Sequence, residues 1–258
     1  MQVSHAIFGL DPMWLSGIIL VIVYIVLIME KLNRAVTALL GAMLMIYCGL
    51  LNQHQALEKV DFNTLWLLTG MMMLVNITAK TGVFQYVAIR SAKWVRADPV
   101  GIMLMLAGIT SLFSALLDNV TTVLLITPVT LLITEQLKVR AFPYLFATIL
   151  ASNIGGTATL IGDPPNIMIG SAVGLDFMAF VQNLTLISII IFILVQLILI
   201  ALYHKELHTQ PELQDKIMRL PADAQITDHA LLHKCLAVIL LTITFFVLHG
   251  SLGLESAT

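Results

Sequence analysis

Seven apolar stretches set the limits on this chain: residues 13–29, 35–51, 62–79, 100–134, 142–173, 177–203 and 232–249. A helix needs about 20 apolar residues to cross a bilayer core, within a range of about 17–25. Inside lipid every backbone polar group must find its partner within the fold, which restricts such stretches to helices. Composition agrees, with 59% hydrophobic and only 11% charged residues, where a soluble domain carries about 25% charged. The sequence therefore predicts an all-α polytopic membrane protein. A net charge of -2 offers no electrostatic footprint for a nucleic acid. No signal peptide is expected, because no basic segment precedes the first apolar run and no small-residue cleavage site follows it.

Lys and Arg in short loops orient the spans. Lys31 and Arg34 follow the first stretch, and Lys80, Arg90, Lys93 and Arg96 follow the third. Lys138 and Arg140 follow the fourth, and Lys205, Lys216 and Arg219 lie in the polar segment 204–230. Residues 1–12 and 172–176 carry none. This alternation predicts a multi-pass plasma-membrane protein with its N-terminus outside and its basic loops in the cytoplasm. It also requires 100–134 to leave and return on one side, while 142–173 crosses once. The arms 100–116 and 121–134 are short for full crossings and almost no loop joins them. A re-entrant hairpin is expected, with two full spans as the alternative.

Both long stretches are interrupted by polar residues. "LLDNVTTVLLITPV", residues 116–129, sets Asp118, Asn119, Thr121 and Thr122 between apolar arms. An ionisable group at membrane depth costs at least about 2.5–3.5 kcal/mol, so it usually faces a cavity or a partner. "SNIGGTATLIGDPPNIMIG", residues 152–170, holds Gly155, Gly156, Gly162, Pro164 and Pro165. Glycine weakens a helix, proline removes a donor, and the residue before proline leaves the α region. Unwinding is expected between about 155 and 166. A proline kink explains the prolines, but not Asn153, Thr157, Thr159, Asp163 and Asn166 together. A broken helix presents half-helix ends and free carbonyls to ions. Two carboxylates among amide and hydroxyl oxygens suit a hard cation, so Na⁺ at Asp118, Asn119 and Asp163, or H⁺, is expected.

The remaining signals are weaker. Cys48 and Cys235 are read as packing residues. His204/His208 and His229/His233 have i,i+4 spacing but lack a carboxylate or Cys to complete a metal site. Residues 84–95 are read as an interfacial helix or as the solvated end of the third helix. Residues 204–230 are read as an exposed linker.

The two interrupted motifs resemble those of the arsenite permease, NhaD-type antiporter and P-protein group. That group belongs to the ion transporter superfamily, with its citrate and dicarboxylate carriers. The resemblance implies two inverted repeats, each with a re-entrant hairpin and a broken transmembrane helix, in a homodimer with an elevator-like motion. It places a hairpin tip at Asp118, Asn119 and Val120. It places the unwound site at Asn153, Gly155, Gly156, Thr157, Thr159, Gly162, Asp163, Pro164, Pro165 and Asn166.

Dicarboxylate carriers tend to carry Ser-Asn-Thr at the tip and Thr before the double proline. This chain has Asp118-Asn119-Val120 and Asp163, and the added negative charge argues against a di- or tricarboxylate. The Na⁺/H⁺ antiporter branch tends to lack the double proline, so the arsenite-permease and P-protein side is the nearest match. The implied organisation is a first transport repeat at 13–203, with its hairpin at about 100–134 and broken helix at about 142–173. A cytoplasmic linker at 204–230 and the start of a truncated second repeat at 231–258 follow.

The expected function is secondary active transport of a small inorganic ion, arsenite/anion permease-like and coupled to Na⁺ or H⁺. A second repeat in the same or another chain would complete the site. Alternatives are a Na⁺/H⁺ antiporter, a dicarboxylate/citrate carrier, a channel, an inert membrane fragment, or an intramembrane aspartyl protease using Asp118 and Asp163. The protease reading lacks the first Gly of a Gly-x-Gly-Asp motif. No enzyme activity and no cofactor beyond the coupling ion are expected. The partners are membrane lipid and a second copy of the chain.

Overall fold

The structure is a computed structural model that describes residues 11–252, with side chains to 248. Residues 1–10, most of the tail assigned to the outside, and 253–258, the end of the expected second repeat, lie outside the described residues. The described residues are helical and contain no strand. They form two compact units that divide between Asp61 and Phe62.

The first unit holds α1 (Pro12–Ile28), α2 (Arg34–Tyr47) and α3 (Gln53–Glu58). Asp11 caps α1, accepting from the Met13 N–H at 2.8 Å, and Pro12 takes the first helical position. There its missing N–H costs nothing. Asn33 caps α2 in the same way. α1 and α2 pack around Leu15, Ile19 and Cys48. Helix α3 was not foreseen. Its start is a capping box between Asn52 and Gln55, which a search for apolar periodicity passes over.

The second unit holds α4 (Phe62–Ala79), α5 (Val83–Trp94), α6 (Pro99–Leu116), α7 (Asn119–Leu137) and α8 (Ala141–Thr157). It continues through α9 (Pro164–Val173), α10 (Phe177–Tyr203), α11 (Pro211–Met218) and α12 (His229–Leu252). Five of these, α4, α6, α7, α10 and α12, are long and apolar enough to cross a membrane. The hairpin arms α6 and α7 have 18 and 19 residues, so each spans about 27–29 Å at 1.5 Å per residue. They are longer than the sequence suggested and approach the thickness of a bilayer core, about 30 Å.

The core joins Val75 of α4, Phe84 and Ala88 of α5, Ile102 and Leu106 of α6, Ile126 and Ile133 of α7, and Tyr144 and Ala147 of α8. α6 and α8 run parallel. Ser111 meets Gly155, and the Thr159 hydroxyl just beyond α8 donates to the Ala115 carbonyl, so both contacts advance together along the two segments. Ala107, Ala147, Ala151 and Gly155 are small and buried, and small residues let helix backbones approach closely in lipid. α10 runs antiparallel to α8. Tyr203 stacks edge-on to Phe142, and at the other end Thr185 Oγ1 donates to the Ala158 carbonyl at 3.2 Å.

Two expectations for the polar segments are corrected in part. α5 is not the solvated end of α4. A turn at Gly82 (φ +78°) separates it from α4, and Phe84, Ala88, Ile89 and Ala92 are buried in the main core. Segment 204–230 is exposed along most of its length, as expected, but it is docked at a few points rather than free. Leu207, Ile217 and Ala222 are buried, with α11 packed on α5 and α7. Thr209 Oγ1 donates to the Leu137 carbonyl at 2.6 Å, Thr227 Oγ1 to the Lys80 carbonyl at 2.7 Å, and Arg140 pairs with Glu206 at 3.0 Å. Ile217 is the anchor, at 0% exposure. Ile217→Ala is expected to cost about 2–5 kcal/mol locally. Limited proteolysis should then cut 204–230 while sparing the spans.

Candidate functional site

The site forms where the tip between α6 and α7 meets the break between α8 and α9. α6 ends at Leu116 and α7 begins at Asn119, leaving only Leu117 and Asp118 outside the helices. Asp118 is the N-cap of α7. Its Oδ1 accepts from the Val120 and Thr121 N–H groups at 2.9 and 3.2 Å, and it is 5% exposed. A carboxylate here satisfies two orphan donors and opposes the positive end of the helix dipole. Thr122 is buried and donates back to the Asp118 carbonyl at 2.9 Å. Thr121 is half-buried, and Val120 is exposed.

The break is narrower than the expected 155–166. α8 continues through Gly155 and Gly156 to Thr157, and α9 resumes at Pro164, leaving 158–163 unwound. The prolines do not disrupt a helix interior. They occupy the first two positions of α9, where absent N–H groups are tolerated and φ is preset. Nor do the glycines hold the backbone open. A Cβ on Gly155 would lie 2.1 Å from the Ser111 carbonyl oxygen, and one on Gly162 would lie 2.6 Å from that of Ser114. They are the points where the break and α6 touch backbone to backbone.

The carbonyls freed by unwinding turn inward. The Asn166 side-chain amide donates to the Thr159 carbonyl at 2.8 Å and lies 3.3 Å from those of Gly156 and Thr157. One NH₂ group thus ties together the carbonyl end of α8 from the first turn of α9. Asn166→Ala is expected to lower stability by about 0.5–1.5 kcal/mol, the usual net worth of a hydrogen bond, since these bonds are only partly buried. Asn166→Asp should lower it further, because a carboxylate would face three carbonyl oxygens. Melting temperatures in detergent check both.

Asp163 differs from Asp118. It is the N-cap of α9 in an extended conformation, yet its side chain makes no capping bond. It is half-buried. The Asn119 side chain and the charge of Asp118 both lie close enough to act on it. Asn119 Nδ2 also donates to Asn153 Oδ1 at 3.3 Å, bridging tip to break. Asn153 and Thr157 share an exposed face of α8, with Thr157 Oγ1 donating back to the Asn153 carbonyl. The accessible polar set is therefore Asn119, Asn153, Thr157 and Asp163. The buried residues Asp118, Thr122 and Thr159, with the three glycines, build the frame around it. Among the described residues, no three His, Cys, Asp or Glu side chains gather to hold a metal.

Two residues of the frame escaped sequence reasoning. Ser114 and Ser152 are buried and hydrogen-bonded to each other across α6 and α8. Nothing in an apolar helix distinguishes such a serine from a simple packing residue.

Residues 24–258 match the citrate transporter family (CitMHS). The chain belongs to that family. It is 40% identical over 235 residues to a 46 kDa membrane protein of Mycobacterium leprae, covering 90% of this chain and 55% of the relative. It is 39% identical over 241 residues to an uncharacterized transporter of Mycobacterium tuberculosis, covering 92% of this chain and 56% of the relative. Human P protein is 40% identical over 172 residues, covering 63% of this chain and 20% of that protein. The chain thus spans about half the length of the mycobacterial relatives it matches. The resemblance to the P-protein group is borne out. The family is one of transporters, not enzymes, and the protease alternative falls away.

Proposed function

We propose that this chain is half of a secondary active transporter that moves a small inorganic ion, coupled to Na⁺ or H⁺. The observation that carries the reading is the state of Asp163. It is a carboxylate at a helix break, bonded to no backbone amide, reachable, and set beside Asn119 and Asn153. Asp163 takes the coupling cation or proton, while Asn119, Asn153 and Thr157 orient the cargo. Asp118 adds charge from behind, because its oxygens already serve the α7 backbone.

The charge pattern supports an inorganic cargo of low charge, arsenite/anion permease-like. No Lys or Arg occurs in 97–137 or 141–204, so this half offers a polycarboxylate no fixed countercharge. A citrate or dicarboxylate carrier is the second reading, favoured by the family's description. It requires the countercharge to come from coupling cations or from a second repeat. The remaining assignments belong to the same proposal: a re-entrant α6–α7 hairpin, a homodimer, a plasma-membrane location with the N-terminus outside, and a second repeat in the same or another chain.

The test is uptake of labelled arsenite and labelled citrate into proteoliposomes under imposed Na⁺ or H⁺ gradients. Gradient-driven arsenite accumulation supports the proposal. Citrate accumulation without arsenite uptake replaces the cargo with the second reading. Flux that ignores both gradients overturns the coupling.

A further inference from the structure

Most buried hydroxyls in this fold serve their own helix. Thr78, Thr110 and Thr130 each donate to the carbonyl four residues earlier, which satisfies the hydroxyl and ties nothing together. Ser114 and Ser152 behave differently. Ser114 Oγ of α6 donates to the Ser152 carbonyl of α8 at 2.7 Å. Ser152 Oγ donates to the carbonyl of Asn119, the first residue of α7, at 2.9 Å, and lies 3.1 Å from Ser114 Oγ. Both serines are at most 1% exposed. One pair of hydroxyls therefore joins three helices at the point where the tip meets the break.

The neighbours of Ser152 give the junction its meaning. The carbonyl it holds belongs to Asn119, and the next residue along α8 is Asn153, the side chain that Asn119 meets. Thr159 extends the seam, donating to the Ala115 carbonyl and accepting from the Gly162 N–H at 3.2 Å. Gly155 and Gly162 press α8 and the unwound segment onto the backbone of α6.

We infer that Ser152 is a positioning residue that locks the hairpin tip to the broken helix, so that Asn119, Asn153 and Asp163 travel as one rigid unit. It touches no cargo; it sets the spacing of the residues that do. The inference builds on the proposed function, but the lock itself is read without any transport assay. Opening this mouth by lifting the tip away from the break would rupture the Ser152–Asn119 and Thr159–Ala115 bonds, both of them at least partly buried.

The experiment is hydrogen–deuterium exchange of the full chain in nanodiscs, comparing wild type, Ser152→Ala and the Ser114→Cys/Ser152→Cys pair. Ser152→Ala should speed exchange of the amides around 117–123 by about tenfold, the effect of losing one buried hydrogen bond, while exchange in α10 stays unchanged. Oxidising the double cysteine variant should restore protection at the tip, and reducing it should remove that protection. Tip exchange equal to wild type in Ser152→Ala overturns the lock. Uniformly faster exchange in every helix also overturns it, because the serine would then be a general stability residue. In the transport assay, Ser152→Ala should raise the ion concentration for half-maximal flux while leaving maximal flux unchanged. Faster tip exchange in a protein that shows no ion-coupled flux would keep the lock and discard the proposed function.

Discussion

Gly155→Ala is expected to unfold the site, whereas Gly108→Ala is expected to leave the protein as stable as before or more so. Both glycines lie inside largely apolar helices, and a helix-propensity scale would favour alanine at each by about 1 kcal/mol. The surroundings reverse the sign at one of them. A Cβ on Gly155 would sit 2.1 Å from the Ser111 carbonyl oxygen and 2.7 Å from its carbon. Both sides of that contact are helix backbone, so neither yields without shifting a whole helix. Overpacking of a close-packed interior costs about 1–3 kcal/mol, occasionally more, and a backbone-on-backbone clash lies at the upper end. Gly108 has nothing within 4 Å of the same position. Gly170 is an intermediate case: its Cβ would meet Leu160 Cδ1 at 2.4 Å, the far end of a side chain that can rotate away. The expected order of melting temperatures in detergent is Gly108→Ala, then Gly170→Ala, then Gly155→Ala. A Gly155→Ala protein as stable as Gly108→Ala would show that α6 and α8 do not touch as described.

The parts of this architecture written as long-range composition were legible in the sequence. α4 and α10 match the hydropathy segments 62–79 and 177–203 at both ends, because an apolar run and its flanking polar residues define a span by themselves. The existence of the break was legible too, since two adjacent prolines after Asp163 leave few conformations open. Its limits were not. Gly155 and Gly156 read as helix breakers in isolation, but α6 holds them helical by contact, a tertiary effect that propensity does not carry. The roles of the two acids were equally hidden. Asp118 and Asp163 look alike in sequence, and only the fold shows that the first is taken up by the amides of α7 while the second is not. The docking of α11 was missed for a related reason. A polar segment with two prolines reads as a linker, and one fully buried isoleucine, Ile217, is enough to anchor it.

That difference between the acids yields the second large prediction. Asp163→Asn should abolish ion-coupled accumulation while the protein still inserts and folds. The substitution is nearly isosteric, and no backbone hydrogen bond depends on the lost charge. A contact between a charged group and its partner is worth about 1.5–3 kcal/mol, so affinity for the coupling ion should fall by about 10- to 100-fold. Asp118→Asn provides the contrast. Asparagine caps helices about as well as aspartate, so that variant should retain the hairpin and lose only the through-space charge. Asp118→Ala removes the cap and should destabilise the hairpin by about 1 kcal/mol. Ion-dependent uptake measured for all three variants separates the roles. Normal coupling in Asp163→Asn, or equal loss in Asp163→Asn and Asp118→Asn, would move the ion away from the half-free carboxylate. Loss confined to Asp163→Asn would place the ion at the one acid that the backbone leaves available, at the junction the buried serines hold in register.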